Sequence, residues 1–231
     1  MAENWLSVFA SQDWLTIPYQ IREKTLFDEA VDNLFTVQRC LAIAQEMISA
    51  EGSSNYACSR ASLTSVVDGS AASLKLWERK YMADGLLDGI VRAPGSAQAS
   101  RSTALPRFAN IPMAALASIY YASQIMMLRL QSLATRISQI ALIEQYTRHI
   151  LAANEYVTGV VSPSEGFGPI MIVFQIKIAS LFGASSALRA TATKILADNK
   201  NIPNGAFIDI ADNRDGFFHD VAIHARGPGE G

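Results

Sequence analysis

The chain has 231 residues, half of them hydrophobic and only 17% charged, with a formal net charge of −2 from 19 basic and 21 acidic side chains. That length suits one domain with a sizeable core, and the missing basic surplus argues against direct nucleic-acid binding, which needs clustered positive charge. Two cysteines, Cys40 and Cys58, form no disulfide framework and match no zinc spacing. The opening MAENWLSVFASQDW has an acidic residue where a signal peptide would be basic, and there is no Asn-x-Ser/Thr sequon. A reducing, cytoplasmic location is therefore expected.

In chain order, residues 1–25 carry Trp5, Leu6, Phe9, Trp14, Leu15, Ile17 and Tyr19, which reads as a short helix and a turn at Pro18. Residues 26–50 place Leu26, Phe27, Ala30, Leu34, Val37, Leu41 and Ile48 at helical spacing, ended by Gly52-Ser53-Ser54. Residues 60–84 read as another amphipathic helix, with Asp68-Gly69-Ser70 expected to break it. Residues 92–107, rich in Ala, Ser, Pro and Gly, read as a flexible loop, disordered or serving as a lid.

The stretch Leu105–Leu133 organises the rest. It has no charge from Phe108 to Leu128, and apolar residues fall on every side of its helical projection, so it should be buried all round. Asn110 suits the N-cap and Pro112 the first turn. A membrane span is disfavoured because Asn110, Pro112, Ser118, Ser123 and Gln124 interrupt the run and no basic cluster flanks it. Residues 137–158 form the next helix, with Glu144 and Arg148 as an i,i+4 pair. VVSPSEGFGP is a turn, 169–183 an apolar helix holding Gln175 and Lys177, and 185–198 a further helix. NKNIPNG is again a turn, and the tail 225–231 should be disordered. The sum is an all-α single-domain bundle of seven to eight helices.

P-loop, dinucleotide and nucleophile-elbow motifs are absent, so no cofactor is expected. DNRDGFFHD (212–220) fails as a calcium loop, since Ala211 and Ala222 fall where ligands are required. His219, Asp220 and His224 read as solvated, and no metal site is expected. What remains is a set of polar and aromatic residues on apolar helices. Tyr120, Tyr121 and Gln124 sit three or four apart on the central helix and can share a face. His149 stands on an otherwise apolar helix, where it is either a satisfied core histidine or a general acid or base facing a cavity. Trp77, Tyr120 and Tyr156 offer π-surfaces and donors.

Two segments resemble a known family. PRFANIPMAALASIYYASQIMMLRL is similar to the stretch where Arg-Phe leads into a long apolar helix in the regulatory domain of fungal zinc-cluster transcription factors. RHILAANEYVTGVVSPSEGFGPIMIVFQIKIAS resembles a later signature of that domain, and Asp13-Trp14…Ile17-Pro18-Tyr19 its lead-in. The resemblance covers most of residues 13–200 and implies the all-α regulatory fold. The family's six-cysteine zinc cluster, basic linker and coiled coil have no counterpart here. Phe174-Gln175-Ile176 replaces the usual Phe-Pro-Leu, which puts a polar side chain in an apolar helix.

Three readings follow from the resemblance. In the first, the fold serves as a cofactor-free cyclase or isomerase, pericyclase-like, on an apolar small molecule of fungal secondary metabolism. Tyr121, Gln124, His149 and Gln175 are then catalytic, and Trp77, Tyr120 and Tyr156 bind substrate. In the second, it is a regulator that senses a metabolite or pairs with a full-length zinc-cluster transcription factor, and is then nuclear. In the third, it has no independent role. The enzyme is favoured because the chain begins with its own methionine and keeps its helical core without a DNA-binding part. A surplus of apolar helix faces is compatible with a homodimer.

Overall fold

The computed structural model describes residues 16, 20–83, 105–160, 171–200 and 215–226. Among these the chain is all-α, with seven helices and no strand: α1 Leu26–Ser49, α2 Tyr56–Ala83, α3 Ile111–Thr135, α4 Ile140–Val160, α5 Val173–Phe182, α6 Ser186–Lys200 and α7 Asp215–His224. The expected Pro18 turn, most of the 92–107 loop, the 161–170 turn and residues 227–231 lie outside the described residues. Of the expected disordered tail, Ala225 is buried and Arg226 Nη2 donates to Leu181 O at 2.8 Å.

Local chemistry sets several helix ends. Thr25 caps α1 in a reciprocal box: its hydroxyl accepts from Asp28 N, and Asp28 Oδ2 accepts from Thr25 N at 2.9 Å. Asn110 caps α3, its Oδ1 accepting from Met113 N at 2.9 Å, and Pro112 stands in the first turn, where a missing N–H is harmless. At the other end of α3, Arg136 adopts a left-handed conformation (φ 64°) and its N–H closes on Ser132 O.

The expected break at Asp68-Gly69-Ser70 does not occur; α2 runs through it. Gly69 is exposed with open space around it. Ser70 turns its hydroxyl to Val66 O at 2.8 Å, and Val67 and Leu74 are buried on either side. A mid-helix glycine costs only about 1 kcal/mol relative to alanine, less than burying two large apolar side chains contributes.

α3 is the centre. It packs against α1, α2, α4 and α5, and α1–α2 and α5–α6 form further pairs, with α7 against α1 and α5. Ala114, Ile119, Ile125, Met126 and Leu130 are all nearly inaccessible. α3 is long and apolar enough to cross a membrane, but 78% of its apolar window is buried inside the protein. Its serines need no outside partner: Ser118, Ser123 and Ser132 donate to carbonyls three or four residues back in the same helix.

Three arginines converge on the carbonyl end of α5. Arg129, 0% exposed, donates from Nε to Phe182 O at 2.9 Å and from Nη2 to Gly183 O at 3.0 Å. Arg189 Nη1 reaches Gly183 O at 3.1 Å, and Arg226 takes Leu181 O. The last carbonyls of a helix lack intrahelical partners and carry partial negative charge. This cap therefore joins α3, α6 and the residues after α7 to one helix end. Gly183 is required there, since a Cβ would stand 2.5 Å from Ala179 O and 3.2 Å from Arg189 Cγ.

Candidate functional site

The candidate site lies where the end of α2, the middle of α3 and the middle of α4 meet. α3 and α4 run antiparallel across a short turn, which sets Tyr120 and Tyr121 opposite Tyr146 and His149. Trp77 on α2 stacks on Tyr120, with ring centroids 5.6 Å apart and planes 20° from parallel. Tyr121 stacks on Tyr146 at 5.8 Å and meets the His149 ring edge-on at 4.9 Å. Tyr120 contacts Tyr121 and Tyr146 edge-on. These are packing distances for aromatic pairs, so the rings form a filled floor.

Polar groups sit on the rim of that floor. Gln124 Nε2 donates to Tyr120 Oη at 3.0 Å, one helical turn along α3. Trp77, Tyr120 and Tyr121 are buried, whereas Gln124, Tyr146, His149 and Glu78 each keep part of their surface open. Burial raises the pKa of Tyr120, and Tyr146 and the Glu78 carboxylate raise it further. Tyr121 is raised by burial and then by Tyr146, and Tyr146 by burial and then by Glu78. All three stay phenols at neutral pH. Burial lowers the pKa of His149, so its imidazole is neutral there. His149 Nδ1 is buried and has no hydrogen-bond partner among the described residues.

Of the seven residues expected to form a site, five come together here: Trp77, Tyr120, Tyr121, Gln124 and His149. Tyr156 lies further along α4 and pairs with Phe108 at 5.6 Å. Gln175 faces elsewhere: with its amide turned so that the nitrogen points to the backbone, Nε2 donates to Ile172 O at 3.0 Å and Met171 O at 3.3 Å, at the start of α5. Its polarity is thus satisfied by backbone. Sequence reasoning missed Tyr146 and Glu78 as site residues. Tyr146 had a signal, since it precedes His149 by three residues on one helix face; Glu78, beside Trp77 on a distant helix, had none. The described residues contain no cluster of three or more His, Cys, Asp or Glu suited to a metal. No protein-family model, curated protein or solved structure matches the chain.

Proposed function

We propose that the chain is an enzyme acting on an apolar small molecule without a cofactor, a cyclase or isomerase, with the substrate lying on the aromatic floor of α2, α3 and α4. The fungal setting and the kinship with transcription-factor regulatory domains belong to this proposal and rest on the sequence resemblance. One observation carries the reading: a neutral, half-buried His149 whose Nδ1 has no partner among the described residues, set against Tyr121. A buried polar atom left unpaired costs free energy that a ligand can recover. With its ring turned to bring the unprotonated nitrogen to the open side of the floor, His149 takes a proton from an activated C–H of the substrate. It returns that proton at another carbon, giving an isomer with no net gain or loss. Gln124, held by Tyr120, keeps a second amide N–H for a substrate carbonyl. The aromatic floor selects one folded conformer, as ring closure requires.

The test starts from a strain lacking the gene. A late intermediate is expected to accumulate, and purified protein is expected to convert it without added cofactor. His149→Gln should slow that conversion by ~10²-fold or more. If every transcript and product of the pathway moves together instead, the chain is a regulator. That second reading draws on exposed Ile137, Ile140 and Leu142 at the α3–α4 turn, an apolar surface of the kind that meets partners.

A further inference from the structure

A second site lies at the opposite end of α2 and α3. Arg60 and Trp77 stand on the same helix, roughly 25 Å apart at ~1.5 Å per residue, so this site is independent of the aromatic floor. Here the first turns of α2 and the last turn of α3 line a shallow pocket of about 480 Å³, broadly open to solvent. That volume falls within the ~300–1,000 Å³ typical of small-molecule sites.

The walls are apolar by construction. Ala57, Ala61 and Ala134 contribute methyl groups. Thr64 and Thr135 also line the pocket, but their hydroxyls are committed to their own helices, to Arg60 O at 2.9 Å and Gln131 O at 2.7 Å. Each can therefore present a methyl group to the pocket.

Charge enters from one sign only. Arg60 lines the pocket and is anchored through Nε to Ala134 O at 2.6 Å. That uses one of its five N–H donors and leaves both terminal nitrogens. Arg136, whose backbone is left-handed, donates from Nη2 to the hydroxyl of Tyr56, another wall residue. No acidic residue lines the pocket, and among the described residues neither arginine has an ion-pair partner. Capping the end of α3 explains one hydrogen bond of Arg60. It does not explain a second guanidinium beside a pocket with no counter-charge.

The geometry points to a binding site for a small monocarboxylate with an apolar tail. The tail lies against the alanine and threonine methyls. The carboxylate accepts from the terminal nitrogens of Arg60, a planar fork that matches it.

The probe is sodium octanoate, titrated calorimetrically into the full chain, with octanol as the uncharged control. Saturable sub-millimolar binding of octanoate is expected, with octanol weaker by about tenfold or more, the weight of a charge-assisted hydrogen bond. Ala61 is an exposed helix position, so Ala61→Trp should fold normally, fill the pocket and abolish binding. Arg60→Gln should weaken octanoate and leave octanol unchanged. Failure of octanoate to saturate, equal affinity for octanol, or full binding by folded Ala61→Trp would each overturn the assignment.

Discussion

Two buried polar clusters flank α3, and they close their hydrogen bonds differently. Toward its C-terminal half, Arg129 is wholly inaccessible, yet its guanidinium is met by the carbonyls of Phe182 and Gly183, with Arg189 and Arg226 completing the same helix end. Toward the middle of α3, the Tyr120–Gln124 pair is closed but His149 Nδ1, against Tyr121, is not. The first cluster holds a full charge and the second a neutral ring. On desolvation alone the arginine should be the more costly residue. It is instead the better satisfied, which marks the arginine cap as architecture and the histidine as the place where a ligand has something to offer.

The largest expected effect falls on the architectural side. Arg129→Met keeps much of the side-chain volume but leaves Phe182 O without its donor, while Arg189 still serves Gly183 O. A loss of about 3 kcal/mol is expected from a charged hydrogen-bond donor removed inside a core, read as a lower urea midpoint. A smaller loss would mean that the three arginines share the load. Gly183→Ala attacks the same helix end by crowding. The new methyl meets the Ala179 carbonyl, which is backbone and cannot swing away, so about 2 kcal/mol should be lost. Neither change touches the aromatic floor, so conversion of substrate by the folded fraction should be unaltered.

Tyr120→Phe sharpens the other half of the comparison. It removes the acceptor for Gln124 Nε2 while keeping the stack on Trp77. Since Gln124 is half-buried and can turn to water, about 1 kcal/mol of stability should go. Turnover should fall by more than that loss of folded protein explains, because Gln124 is no longer held.

The contrast between the two clusters also explains what the sequence disclosed. Helix α3 was legible from Asn110, Pro112 and its all-round apolar run, because capping and burial are local signals. Tyr120–Gln124 followed from positions four apart on one helix. The Asp68-Gly69-Ser70 break was misjudged because a local propensity lost to the packing of Val67 and Leu74. Arg129 directly follows the uncharged run that ends at Leu128. Its partners lie 53 and 54 residues away, and no pattern within α3 points to them. Gln175 invited a functional reading as a lone amide in an apolar helix, yet the carbonyls at the start of its own helix satisfy it. Pairing within a helix can be read from spacing; pairing between helices depends on a topology that spacing does not encode.

The subtlest expected effect concerns pH, and it isolates His149. Burial lowers its folded pKa below the ordinary 6.5, while the unfolded chain keeps a value near ~6.5. Between those two values the unfolded state binds a proton that the native state refuses, so stability must fall as pH drops through that window and stay level above it. His149→Leu removes the contribution. At neutral pH the variant should match the parent to within about 1 kcal/mol, or exceed it, since an unpaired buried nitrogen is exchanged for hydrocarbon. Below pH ~6.5 the parent should lose stability that the variant keeps. Urea midpoints for the two proteins across that range supply the check. Parallel curves would mean that His149 protonates as easily in the fold as outside it, and the contrast with the arginine cap would disappear. Diverging curves, with turnover lost and neutral stability intact, would identify a residue retained for its chemistry at the expense of stability in mild acid.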